Sequence, residues 1–429
     1  MMRSTLRASL KKALIENILA KSFFIINITI VMDPYKIKKL NFNKDVIINK
    51  ISDIYNVLKV YNTDTEWGVL NGFSGIILFL AAYYKFIQDD KVLAVLYEKI
   101  EILNSHIQDV KSPSLCGGYS GICWLYRYLE KEQLIESEDI NDSLDELERY
   151  TCLCFSKYFK NDFDFLHGGL GIAMYFSMVD SKYSRFVTDS FLQQLDANKI
   201  IKQNSQCAWE TKALINGKWN NVINFSLAHG MASIFYFLSN LFDKTHNLLA
   251  KKLLQQLFNY YKENVNKAEQ ISMYPSWIAP IQENSFFDSR VAWCYGDLGI
   301  AEAIYCAGAM LKDEEMVNYS YKVAQKTIGR ISNSMIKDEI FCHGSAGVSF
   351  MYNQFYNRTK NMDFRNASLY WLNFTMGKSG KSNCNAGFPL EEKDYNAVSV
   401  LNGLSGIGLS LLYIISNTID NWSKILILS

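Results

Sequence analysis

Seven short glycine-centred motifs recur along the chain, and no other feature limits its fold as strongly. They read LNGFSGIILFL from residue 70, CGGYSGICWLY from 116, LHGGLGIAMYF from 166, AHGMASIFYFL from 228, CYGDLGIAEAI from 294, CHGSAGVSFMY from 342 and LNGLSGIGLSL from 401. Each has a Gly-x-x-Gly core followed by an apolar run; the fourth departs, with Ser233 in place of the second glycine. The leading glycines stand at 72, 118, 168, 230, 296, 344 and 403. Intervals of this size hold two helices of about 15 residues each plus two connections. Amphipathic stretches such as DSLDELERYTCLCFSKYF and SYKVAQKTIGRISNSM lie between the motifs. They read as outer helices, polar on one face, while the apolar runs read as inner helices buried all round. Seven helical hairpins stack into an open solenoid or close into a ring. Ends without polar capping repeats favour the ring.

Composition supports a large helical body. Hydrophobic residues make up 49% of the 429 residues and charged ones 20%, so a sizeable core is affordable. Only 5 prolines are present, which suits long helices. A net charge of +1 offers no electrostatic footprint for nucleic acid. The 9 cysteines lack the close spacing of a disulfide scaffold, and the chain reads as a cytoplasmic protein with reduced thiols. The start, MMRSTLRASLKKALIENILAKSFFIINITIVMDPYK, is basic and then apolar, but its apolar run is short and no small-residue cleavage site follows. A translation start at Met32 is an equal reading. Residues 1–45 are expected to form an extension and first helix, and residues 46–429 the repeat domain. No later stretch is long and apolar enough to span a bilayer. Between the third and fourth motifs, CAWETKALINGKWNNVINFS (207–226) carries an Asn-Gly turn between alternating segments, a β-hairpin signal that predicts a small β-containing insertion near 200–226. ISMYPSWIAPIQENSFFDS (271–289) predicts a second loop near the same end.

The register of the repeats singles out a site. Two positions before each leading glycine stand Leu70, Cys116, Leu166, Ala228, Cys294, Cys342 and Leu401; one position before stand Asn71, Gly117, His167, His229, Tyr295, His343 and Asn402. These slots fall at the same end of every inner helix and face a common space if the ring closes. Motifs five and six are neighbours, so Cys294, Cys342 and His343 converge there. Two thiolates and one imidazole suit zinc with an open fourth position, the catalytic arrangement. Small buried hydrophobes are the competing reading for the two cysteines, and spacing does not choose between them. A disulfide suits the compartment less well. Cys116 shares the slot from nearly across the ring and reads as core, as do Cys123, Cys152, Cys154, Cys207, Cys306 and Cys384. His229 is placed to reach the metal region as an acid or base, or else to hydrogen-bond at a helix start. His167 reads as structural, and His106 and His246 as solvated on outer segments. Asp164, before the third motif, reads as a helix cap, and Arg290 as a loop arginine able to hold an anion.

The repeats, with AWCYG and CHG in the fifth and sixth copies, resemble the lanthionine synthetase C-like family from about residue 65 onward. The resemblance implies an all-α (α/α)7 toroid, a double barrel of seven inner and seven outer helices with a small β-containing lobe. It implies Zn2+ at one end, held by Cys294, Cys342 and His343. It also implies roles for Asp164, His229, Arg290 and Tyr295 in catalysis. The implied activity is that of a zinc-dependent lanthipeptide cyclase: peptide Cys thiols add to dehydroalanine or dehydrobutyrine to form lanthionine and methyllanthionine thioethers. The implied partners are a dehydrated precursor peptide and a separate dehydratase and exporter, through which a cytoplasmic enzyme would meet the membrane. Two alternatives stay open. A prenyltransferase-like enzyme would also activate a peptide thiol on zinc, but needs a basic diphosphate site. A zinc-dependent module that only binds thiols such as glutathione would consume none.

Overall fold

The computed structural model describes residues 43–62, 66–202, 205–380, 385–390, 395–416 and 421–428. The expectations for the N-terminal stretch up to residue 42, and for Cys384, fall outside the described residues. In chain order the helices are α1 (Lys44–Leu58), α2 (Ser74–Ile87), α3 (Asp90–Ser105), α4 (Tyr119–Lys131), α5 (Asn141–Tyr158), α6 (Gly169–Met178), α7 (Ser184–Asn198), α8 (Ala232–Thr245), α9 (Leu248–Glu263), α10 (Asp297–Leu311), α11 (Glu314–Ile328), α12 (Ser345–Thr359), α13 (Met362–Lys378) and α14 (Leu404–Ser416).

Each glycine motif starts an even-numbered helix, and these are the inner seven. Burial separates the two layers. In α2 every residue from Ser74 to Tyr83 is buried, and in α12 every residue from Ser345 to Phe355. In α11 only Met316, Ser320, Val323, Ala324 and Thr327 are buried, one stripe at helical spacing. The outer helices begin conventionally: Asn43, Asp89, Asn247, Asp313 and Asn361 each cap a helix with a side-chain oxygen. Four inner-to-outer turns are equally short. Gln88, His246, Lys312 and Lys360 end their inner helices in the left-handed conformation, and the next residue caps the outer helix. His246 therefore belongs to an inner helix end, not to an outer segment. His106 is half-buried, stacked on Trp67 with ring centroids 4.5 Å apart, and so is not simply solvated.

The ring closes. α14 packs against α12 on one side and α2 on the other, and its outer partner is α1, from the far end of the described chain. The seventh hairpin is thus assembled from the two ends. Closure is written in the backbone as well. The N–H of Leu70 donates to the carbonyl of Cys116, Cys116 to Leu166, Ala228 to Cys294, Cys294 to Cys342, Cys342 to Leu401, and Leu401 back to Leu70, at 2.8 to 3.4 Å. Among the described residues no such bond joins Leu166 to Ala228, the step next to the motif that carries Ser233. The interior is filled rather than open: Trp422, Ile425, Leu426, Ile427 and Leu428 are buried. Trp422 packs on Phe341 and Phe350, and the carbonyls of Leu426 and Ile427 accept from Trp293 Nε1 and Cys306 Sγ.

Strands gather at the motif-bearing end. β1 (Ile200–Lys202) pairs antiparallel with β2 (Gln206–Ala208). β3 (Glu210–Ile215) and β4 (Lys218–Asn224) form the expected hairpin, turning at Asn216 and Gly217, both with positive φ. β5 (Trp277–Ile278) adds to β4, so the second loop anticipated at 271–289 joins the same lobe.

Candidate functional site

The ring of backbone bonds fixes the slots that precede the glycines. Cys294 N donates to the Cys342 carbonyl at 3.2 Å, which sets the two loops side by side. One donor atom from each of Cys294, Cys342 and His343 lies within 4.8 Å of the others. Tetrahedral zinc with Zn–S near 2.3 Å and Zn–N near 2.1 Å needs its donors about 3.6 to 3.8 Å apart, so the set fits the ion. The cysteines are free thiols. A hydrogen bond from Cys342, with His343 adding to it, holds the Cys294 thiol well below its ordinary value despite burial. Cys342 is pushed up in turn by that bond and by burial. The bond with Cys294 also raises His343. His343 Nε2 lies 3.5 Å from Asp338 Oδ2. A carboxylate on that side of the ring favours a proton at Nε2 and leaves Nδ1 the nitrogen suited to coordinate.

A second group stands beside it. Asp164 accepts from the His167 backbone N–H through Oδ1, at 2.8 Å, and meets His229 Nδ1 through Oδ2, at 2.7 Å. Asp164 is thus not the helix cap its position suggested, since the helix starts after Gly168 with no side-chain cap; it braces the preceding turn and is the partner of His229. Burial opposes charge on each, but their mutual bond outweighs it, lowering Asp164 and raising His229. His229 packs between the His167 ring, at 5.9 Å, and the Tyr295 ring, at 5.7 Å. Tyr295 OH accepts from Asn224 Nδ2 at 3.2 Å, and its ring meets Trp277 edge-on. Arg290 N donates to the Tyr295 carbonyl at 3.0 Å, folding the arginine loop back on the fifth motif. Its charge is near enough to act on both Cys342 and His343.

Asp164, His167, His229, Arg290 and Tyr295 line one groove of about 1140 Å³. It runs between the loop 158–168 and the β3–β4 hairpin and reaches the residues flanking Cys294, although the sulfurs themselves are not part of its wall. The seven residues singled out in the sequence therefore fall at one end of the ring, as two adjoining clusters. Cys116 lies in the backbone ring but not with the metal-type donors, and burial raises its thiol. One residue escaped notice. Asp338 stands six positions before Gly344, where the third repeat has Asp162 and the fourth Asn224, so comparison of the repeats six residues upstream of each glycine would have found it. Asn71 and Asn402, already placed in the slot of the histidines by the repeat register, each have a buried side-chain oxygen with no partner.

Comparison with known proteins bears on the fold and the family. A family model described as lanthionine synthetase C-like protein matches residues 63–427. The nisin biosynthesis protein NisC of Lactococcus lactis subsp. lactis is 25% identical over 318 residues, spanning 66% of this chain and 72% of that protein. The solved structure of nisin cyclase superposes with a TM-score of 0.69 at 19% identity, covering 90% of this chain and 98% of that one, a likeness that speaks for the shared helical toroid. With the family model spanning nearly all of the repeat region, this chain belongs to the lanthionine synthetase C-like proteins.

Proposed function

We propose that the protein closes thioether rings in a ribosomally made peptide, joining a cysteine thiol to a dehydroalanine or dehydrobutyrine of the same chain. The observation that carries this reading is the Cys294, Cys342 and His343 cluster standing next to the groove that holds the Asp164–His229 pair, with Tyr295 of that groove adjoining Cys294 in sequence. Membership of the family and the activity named for nisin cyclase support it. The dehydro residues must come from an earlier dehydration, so a separate dehydratase acts upstream. Among the described residues no helix is long and apolar enough to cross a membrane.

Zinc held by Cys294, Cys342 and His343 would supply the Lewis acidity that brings a peptide thiol, ordinarily near pKa 8.5, toward ionisation at neutral pH. The remaining work falls to side chains. As the sulfur electron pair forms the C–S bond at the β-carbon, the alkene pair moves toward the carbonyl. The α-carbon then takes a proton, so the thiol's proton and the new C–H balance with no oxidant or reductant. His229 is the donor. Asp164 pins Nδ1, favours the protonated ring against the opposing effect of burial and aims Nε2 away from itself. Arg290 faces the same groove and offsets negative charge on the enolate oxygen. Tyr295, held by Asn224, packs on the His229 ring and fixes its plane.

The test is mass spectrometry of a dehydrated precursor exposed to the enzyme, with free thiols counted by alkylation. The wild type should consume them. His229→Asn should keep its zinc, by elemental analysis, and lose ring formation by about 10²- to 10⁴-fold. Retained zinc with unimpaired cyclisation would remove His229 from proton transfer.

A further inference from the structure

The groove has one wall that the chemistry above does not use. In the β3–β4 register Lys212 pairs with Asn221 and Leu214 with Trp219, so these four side chains share one face of the hairpin. Thr211 and Ala213 point to the other face, against Val222 and Trp277. The groove is lined from both faces: by Lys212, Leu214 and Trp219 on one, and by Thr211, Ala213 and Trp277 on the other. A space bordered on both sides of a hairpin passes around its rim, and the rim here is β3, the end strand of the β3-β4-β5 sheet. Alternate N–H and C=O groups of an end strand point away from its neighbour and lack a ladder partner. An independent sign points the same way. Thr211 is 6% exposed, and its hydroxyl oxygen is buried with no hydrogen-bond partner. Just beyond, Leu214 and Trp219 are 59% and 70% exposed, an apolar step with nothing on it.

We propose that an extended segment of the substrate peptide docks as an added strand on the free edge of β3, with an apolar side chain resting on Leu214 and Trp219. This rests on the peptide-cyclase reading. The occupant must be extended, because a helix has already spent the backbone groups that a strand edge needs. It must be contiguous with the reacting cysteine, because the same groove continues to Asp164, His229, Arg290 and Tyr295. Six residues of β3 offer a span of about 20 Å. Recognition through main-chain groups is nearly blind to sequence. It lets one enzyme hold successive stretches of a peptide while different cysteines reach the site.

Hydrogen exchange on the zinc-loaded enzyme tests this. The probe is a synthetic peptide with one dehydroalanine and one cysteine blocked by alkylation; turnover is followed with the same peptide unblocked. Alternate amides between Glu210 and Ile215 should slow by tenfold or more when the blocked peptide is added. Trp219→Ala should raise KM by about tenfold with kcat nearly unchanged, the mark of a contact equal in ground and transition states. If the unblocked peptide is cyclised while β3 exchange stays the same, strand docking is wrong and the cyclase reading stands. If β3 is protected but no thiol is consumed, docking stands and the cyclase reading falls. Absence of both overturns both.

Discussion

Asp164 divides its two oxygens between the His167 backbone and the His229 ring, and this coupling gives a pH signature. His229 is raised from an ordinary 6.5, so its contribution to stability is complete below that value and fades as pH climbs through the folded one. Asp164 is lowered from 3.8, so its contribution is present above that value and is lost as pH falls through the folded one. Both terms are full between the two ordinary values. The stability gap between the wild type and Asp164→Asn should be larger at about pH 6 than at about pH 9, in denaturant titrations with zinc in excess. An equal gap at both would mean that the pair contributes only as a neutral hydrogen bond. Asp338 makes a separate case. Asp338→Asn keeps an oxygen for the neighbouring turn but removes the carboxylate from His343. Zinc affinity should fall about 10- to 100-fold in competition with a chelator, with little change in the melting transition of the apo protein.

The helical hairpins are built so tightly that their glycines are not equivalent. At Gly347 a β-carbon would sit 2.0 Å from the Phe341 carbonyl oxygen, and at Gly406 1.8 Å from that of Val400. Neither backbone atom can give way without moving a ring slot. Gly377, near the end of α13, has nothing within 4 Å. Gly347→Ala should therefore cost about 1–3 kcal/mol and loosen zinc at Cys342, whereas Gly377→Ala should add about 0.5–1 kcal/mol by its helix propensity alone. Urea midpoints compare the two. The Gly-x-x-Gly pattern was readable because this crowding recurs in every hairpin but the fourth, which carries Ser233. The short turns between inner and outer helices were not. Their left-handed residues are Gln88, His246, Lys312 and Lys360, none of them the glycine or asparagine that usually marks such a position, and only the Asp or Asn that follows each one marks the place.

Repeat counting disclosed the toroid, and its register brought Cys294, Cys342 and His343 to one spot, because equivalent positions in a closed ring must share an end. The Asp164–His229 contact was harder to foresee. It crosses between the third and fourth motifs, where the backbone ring lacks a link and the hairpin lobe enters, so no regular spacing reports it. Nor did the pattern show what fills the centre, since residues 421–428 carry no motif and are placed by shape and by the bond from Trp293. The seventh outer helix was also hidden, because α1 precedes the first motif while its partner α14 follows the last. That pairing has a consequence for biogenesis. During synthesis α1 leaves the ribosome long before α14 exists, with Ile47, Ile51, Ile54 and Leu58 still exposed to water. The circle stays open until α14 emerges, and until then the nascent chain must shelter that sticky stripe.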